Sequence, residues 1–482
     1  MSNNINSKVK TATKWSAITE IAAKLVAPIS TMVLARLLTP EAFGVLVTAT
    51  MVISFAEIFT DAGFQKYLVQ KEFETEEKLR QSTAVAFWSN LFMSLAVWIG
   101  IVIFAPQIAS LVGNEGYGLV IAISCICIPL EAFSSIQMAL FKRKLDFKTL
   151  FIVRIIGVMI PLVITIPLAF ITRSYWSLII GMIALNLSNA IILTWKSDWK
   201  PRWFYDWSLF KEMFSFTAWS MLEAISIWLT SYLDIFIVGT ILSTYYMGVY
   251  RTSITTVGQI MAIITSATTP VLFSALSRLQ DNDEEFKKLF FRFQKLVGLL
   301  VIPLGFGIFL FSDLLTSILL GSQWTEASNL IGWWGLTSAV TIVFAHYCSE
   351  IYRSLGKPRL SVYVQVSHIV VMIPTVLISI KYGFETLSIA RSLVRLELIL
   401  VNFIFTYYLT RISPLSMLKN VAASLLASVA MALVVWIVPS VESIYMQVGL
   451  VVMCTITYIV IVCAFREERN ILFNLKNYIK SK

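Results

Sequence analysis

Thirteen charged side chains sit inside stretches that are otherwise apolar: Glu20, Lys24, Glu57, Asp61, Glu131, Arg154, Glu223, Asp234, Arg251, Glu350, Arg391, Arg395 and Glu397. A charge at the centre of a bilayer costs about 2.5 to 3.5 kcal/mol on insertion scales, so these groups are expected to face protein or water. Arg391 and Arg395 stand four apart, on one face of a helix, with Glu397 nearby on a different face. Two guanidiniums on one face suit a diphosphate, because arginine donates bidentately to phosphate oxygens and does not lose its charge. The same pair would also serve a bundle-stabilising salt-bridge network, and the spacing alone leaves both roles open.

Glu20 and Lys24 are four apart as well, just before Pro28, where a helix can kink. They read as a structural pair or as part of a polar cavity. Glu223, Ser226, Thr230 and Asp234 form one stripe at helical spacing, and Arg251, Thr255, Gly258 and Ala262 form another. Such stripes fit the wall of a hydrated cavity, although small-residue helix packing accounts for the second equally well. Phosphate-binding glycine loops, HExxH and nucleophile elbows are absent from the sequence, so no cofactor and no catalytic residue is expected. His346 and His368 are too isolated for a metal site, and the five cysteines lie in apolar runs as packing residues.

The elements that hold these residues must be transmembrane helices. Hydrophobic residues make up 57% of the 482-residue chain and charged ones 14%, with a mean hydropathy of +0.78. That is too apolar for a soluble surface. Runs of the roughly 20 residues needed to span a bilayer fall near 15–38, 41–64, 82–104, 117–140, 150–171 and 175–195. Eight more fall near 210–238, 245–275, 293–311, 327–351, 360–380, 385–409, 418–438 and 444–465. The first run lacks a cleavage site and is expected to stay in the mature chain. Period-2 alternation, the mark of a barrel, is absent.

Loop charge supports this count of about fourteen. Thirty of the 38 Lys and Arg residues lie in loops on one side, whereas the opposite loops hold only Arg173 and Lys381. By the positive-inside rule both termini are cytoplasmic. The net charge of +10 is therefore a topology signal, dispersed among short loops beside anionic headgroups, and not a nucleic-acid footprint.

Residues 34–45 align with residues 238–249 at a spacing of 204, pairing Pro40 with Thr244 and Gly44 with Gly248. Six spans separate the two copies, so the repeats would be parallel. This predicts an N-lobe over 1–203, a C-lobe over 204–412, and two further helices with a cytoplasmic tail over 413–482.

Several passages carry a family resemblance. They are Val33-Leu34-Ala35-Arg36-Leu37-Leu38-Thr39-Pro40 with Phe43-Gly44, then Asp61-Ala62-Gly63-Phe64 running to Val69-Gln70-Lys71, and Lys142-Arg143-Lys144-Leu145-Asp146-Phe147. Leu233-Asp234 through Gly239 to Gly248-Val249-Tyr250, Leu276-Ser277-Arg278-Leu279-Gln280 and Gly356-Lys357-Pro358-Arg359 continue it. With these, the chain resembles the WzxC-type polysaccharide flippases, of the superfamily that includes multidrug antiporters and lipid II flippases. The resemblance implies two six-helix lobes around a cavity that opens alternately to each face, and a polyprenyl-diphosphate-linked oligosaccharide as cargo. Arg391 and Arg395 depart from the usual pattern of that family, which leaves their role without support from it.

Together these readings give a non-enzymatic transporter of the bacterial inner membrane, working by alternating access without covalent chemistry. Lys24, Arg251, Arg391 and Arg395 are the candidates for binding the diphosphate. Glu20, Glu223 and Asp234 are candidates for ion coupling or structure. Expected partners are the lipid-linked oligosaccharide, membrane lipids, and polysaccharide polymerase and export machinery, with no nucleic acid. The competing readings are an ion-coupled drug or cation antiporter of the same fold, which would favour an acidic cavity, and a membrane glycan polymerase or ligase, which usually exposes a large outer loop.

Overall fold

The computed structural model describes residues 26–61, 63–357, 359–438 and 443–473. Glu20 and Lys24 lie outside the described residues, as do the side chains of Asp61 and Glu223. Every regular element among the described residues is helical. The chain forms two compact units, one up to Arg251 and one from Thr252 onward.

The first unit begins with α1 (Val26–Leu37), α2 (Pro40–Asp61) and the short α3 (Phe64–Gln70). Next come α4 (Glu76–Ile103), α5 (Ala105–Leu111), α6 (Gly118–Ser124) and α7 (Cys127–Arg143). A fifth span is assembled from α8 (Phe147–Ile160), a π-helical turn at Pro161–Thr165 and α9 (Ile166–Thr172). Pro161 and Pro167 lack the N–H groups an unbroken α-helix would use there, and the wider turn absorbs the gap. The remaining helices of this unit are α10 (Trp176–Lys196), α11 (Trp207–Ile241) and the first turns of α12 (Thr244–Arg278).

The second unit continues through α13 (Asp283–Leu310), α14 (Ser312–Leu319), α15 (Ala327–Thr341) and α16 (Tyr347–Ser354). It ends with α17 (Arg359–Ser379), α18 (Phe384–Val394), α19 (Glu397–Thr410), α20 (Pro414–Asn420), α21 (Ala422–Ile437), α22 (Ile444–Ala464) and α23 (Arg466–Phe473). The Tyr458 hydroxyl donates to the Leu299 carbonyl at 2.8 Å and ties α22 to α13 inside an apolar cluster that includes Ala427, Met431 and Val462.

Among the described residues eleven helical stretches are long and apolar enough to cross a membrane, and α20 with α21, bent by 60°, makes a twelfth. The chain is a multi-pass helical membrane protein. Two of the sequence-predicted spans fall outside that number. Only the stretch from Val26 of the first belongs to the described residues. The span near 385–409 is cut at Arg395–Leu396, where the backbone changes to shorter bonds such as Leu398 N–H to the Arg395 carbonyl, 3.1 Å.

Helix starts are marked by the residues that cap them best. Thr75, Asp146, Asp206, Asn282 and Ser413 each accept a backbone N–H from the first turn of α4, α8, α11, α13 and α20. These caps sit in the Lys- and Arg-rich connections, where water meets the chain.

The basic connection after α3 is held by side chains from three helices. Arg143 of α7 donates to the carbonyls of Leu68 (2.9 Å) and Lys71 (2.6 Å) and closes the open end of α3. Lys71 donates to the Tyr67 hydroxyl at 2.8 Å and pairs with Glu212 of α11. The hydrogen bond from Lys71 holds the Glu212 carboxyl below its ordinary range, although partial burial opposes it. Burial alone would lower Lys71, but its bonds to Glu212 and Tyr67 raise it overall. A lowered carboxylate contributes stability above its unfolded pKa and loses it as pH falls through the folded value, while the raised lysine loses its share at high pH. The pair therefore stabilises most strongly at neutral pH. Thermal melts should show E212Q costing a little at pH 7 and nothing at pH 3; equal loss at both would remove the pair from the account.

Candidate functional site

Three groups of polar residues stand out inside the spans. The first is formed by the two aligned segments. Both are tight helical hairpins, with helices ending at Leu37 and Ile241 and resuming at Pro40 and Thr244. They pack on each other reciprocally through their glycines. A Cβ on Gly44 would overlap the Thr244 carbonyl oxygen, and a Cβ on Gly248 would overlap that of Pro40. Gly113, at φ +74, likewise leaves its space to the Gly239 carbonyl. Asn114, buried at the centre, donates to Thr48 and accepts from the Thr244 hydroxyl.

Just inside this contact, Asp234 of α11 is 4% exposed and accepts from the Tyr250 hydroxyl at 2.7 Å. The neighbouring Arg251 places its guanidinium over the Tyr232 ring, 5.3 Å from the centroid. The α11–α12 hairpin thus brings together two of the residues singled out by sequence, each beside a tyrosine.

The second group lines a cavity of about 230 Å³ in the first unit. Glu57 of α2 and Glu131 of α7 both face it, with Ser54, Asn90 and Ser135. Asn90 donates to Ser135 at 2.9 Å and accepts from Ser94 at 3.1 Å, which fixes the amide beside the carboxylates. Sequence reading noted the two glutamates as isolated helix charges but did not join them. They come from helices more than 70 residues apart, and helical periodicity reports the face of one helix only.

The third group is in the second unit. Arg391, 5% exposed, and Arg395 both stack on Trp334 of α15, at 5.2 Å and 3.9 Å from the ring centroid. Arg395 also donates to Ser338 at 2.9 Å. The two guanidiniums predicted to share a face do converge, and what they converge on is an indole. Glu397 lies against His368 at 3.3 Å, away from this stack. Among the described residues no cluster of His, Cys, Asp and Glu could hold a metal ion.

Comparison with known proteins gives this geometry a context. Residues 33–329 match the family described as Polysaccharide biosynthesis protein. The chain is similar to the succinoglycan biosynthesis transport protein ExoT of Rhizobium meliloti, 23% identical across 70% of this chain and 68% of that one. It is also similar to the lipopolysaccharide biosynthesis protein WzxC of Escherichia coli, 20% identical across 67% and 65% of the two chains. In fold it resembles the lipid II flippase MurJ in an inward closed conformation, with a TM-score of 0.73 at 13% identity, covering 94% of this chain and 98% of that one.

Proposed function

Because this chain belongs to the polysaccharide biosynthesis protein family, we propose that it translocates a polyprenyl-diphosphate-linked oligosaccharide across the bacterial cytoplasmic membrane by alternating access. One relative is named a transport protein for succinoglycan biosynthesis, and the similar fold is that of a lipid II flippase. The observation that carries the reading is that a strongly apolar helical bundle keeps the hydrogen-bonding side chains Ser54, Asn90 and Ser135 on a cavity inside its spans. Such a lining has no purpose in a purely structural scaffold and suits a hydrophilic cargo.

The full arrangement in this reading has about fourteen spans, adding 15–38 and 385–409 to those already long enough. Two parallel six-helix lobes, 1–203 and 204–412, are followed by residues 413–482, with both termini cytoplasmic. The reciprocal packing of residues 40–44 on 244–248 supports the repeat. Lys24, Arg251, Arg391 and Arg395 offset the phosphate charge, Glu20, Glu223 and Asp234 serve ion coupling or structure, and the prenyl tail stays in lipid. Movement of the headgroup needs no bond made or broken. Polymerase and export machinery would take the product on the outer face.

An ion-coupled antiporter of the same fold is the second reading, favoured by Glu57 and Glu131 on one cavity. Proteoliposomes loaded with a fluorescent prenyl-diphosphate oligosaccharide separate the two. The flippase reading expects protein-dependent transfer between leaflets, reduced about tenfold by R251Q, the loss of one charged hydrogen-bonding group. Transfer equal to that of protein-free vesicles overturns the function. Full export by the Gln variants of all four basic residues, at normal protein level, overturns the site assignment.

A further inference from the structure

Arg154 is the one arginine of the fifth span, where Lys148 stands at the very start of α8, and its surroundings differ from those of every other intramembrane arginine described above. It lies on α8, within the membrane-spanning stretch Phe147–Thr172, and lines a cavity of about 330 Å³ between α1, α8 and α10. Counting from the start of α8, it stands roughly 10 Å along the helix axis, two turns in. Arg391 and Arg395 have an indole and a hydroxyl, and Arg251 has a tyrosine ring. For Arg154, no hydrogen bond, ion pair or ring contact is found among the described residues.

The rest of the wall is chemically one-sided. Ser30, Thr31 and Asn189 supply hydroxyl and amide groups, and no carboxylate lines the cavity among the described residues. The Ser30 hydroxyl is 95% buried, its residue being 5% exposed, and has no hydrogen-bond partner. Gly157 keeps the space open: a Cβ there meets only Leu185 at 3.5 Å and Asn189 at 3.9 Å, ordinary contacts that leave the cavity unfilled. Arg154 is exposed on this wall, so its guanidinium is open to a ligand. Among the described residues the wall supplies donors and a cation but no carboxylate, which is the complement of a phosphate.

We infer that this cavity is a binding site for the phosphate group of a lipid-borne ligand, with Arg154 as its ion-pair partner and Ser30 and Asn189 as neutral donors. Two kinds of lipid carry that group: a prenyl diphosphate, and an anionic phospholipid. The first rests on the function proposed above, where the site would capture the diphosphate at the cytoplasmic leaflet. The second stands without it.

The test uses full-length protein in phosphatidylcholine nanodiscs, with farnesyl diphosphate and short-chain phosphatidylglycerol titrated separately and read by native mass spectrometry. R154Q should weaken whichever lipid occupies the site by about tenfold or more, the worth of one charge-assisted hydrogen bond. R154K should retain part of the affinity. G157L, which fills the cavity without touching the charge, should weaken binding as much as R154Q does, and thermal melts confirm that each variant is folded. A loss confined to farnesyl diphosphate assigns the site to the cargo, and a loss confined to phosphatidylglycerol assigns it to a structural lipid. Unchanged affinity for both lipids in folded R154Q and G157L overturns the proposal. Leaflet transfer measured in parallel keeps the questions apart, since a wild-type protein that binds but never transfers would sink the flippase reading and leave this site standing.

Discussion

Under the proposed alternating-access function, alanine at Gly44 or Gly248 is expected to leave a folded protein whose outer end no longer closes. At both positions the added methyl would meet a backbone carbonyl of the opposing hairpin and not the end of a flexible side chain. The neighbouring helix must therefore move as a body. Overpacking of this kind costs about 1 to 3 kcal/mol, and because it falls only on the closed arrangement it shifts the population of that arrangement by about fivefold to about 150-fold. Thr48, 1% exposed and bonded to Asn114, reports the closure directly. In a T48C background, a membrane-impermeant maleimide added outside should react at least about tenfold faster when Gly248 is alanine, and transfer should fall in step. The G44A/G248A double variant should cost less than the sum of the singles, since each relieves the same contact. Labelling of G248A at the parent rate would show that the reciprocal glycines do not hold the outer end shut.

The second large effect concerns Trp334. Truncating a buried tryptophan to alanine removes about 3 to 5 kcal/mol, and here two guanidiniums lose the face that carries them, each contact worth about 0.5 to 2 kcal/mol. W334A should lower the melting temperature by many degrees, whereas W334F, which keeps a ring, should recover part of the loss. R395Q should cost less in the W334A background than in the parent, because the stack is already gone. A melting temperature for W334A within about one degree of the parent, against the several degrees expected from such a loss, would refute the stack as a stabilising unit. The same variants weigh the two readings of this arginine pair. A structural stack loses transfer only in proportion to folded protein, while a phosphate site loses it at constant folding.

How much of this could be read from residues alone depended on whether a feature belonged to one helix or to several. Helical spans announce themselves through length and hydropathy, so the membrane architecture was legible, and so was the convergence of Arg391 and Arg395, which needs only a spacing of four. What they converge on was not legible, because Trp334 stands 57 positions before Arg391 on another helix. Glu57, Asn90, Glu131 and Ser135 come from α2, α4 and α7, and no local period links them. Arg154 appeared as one charge among thirteen until the described residues of the neighbouring helices were seen to give its cavity hydroxyls and an amide but no carboxylate. The break at Arg395–Leu396 was invisible for another reason, since neither Gly nor Pro marks it and the backbone simply changes its hydrogen-bonding step.

Helix α11 is 35 residues long, which at 1.5 Å per residue is about 52 Å, well beyond the roughly 30 Å of hydrocarbon. Its Gly239 end is pinned in the backbone contact with Gly113. A rod of that length, held at one tip, works as a lever with a high mechanical ratio. Tilting by about ten degrees about the pinned tip carries the opposite end some 9 Å sideways, close to one interhelical spacing. Under the proposed alternating-access function, the close approach of Gly113 and Gly239 at one end would thus set the width of an opening at the other.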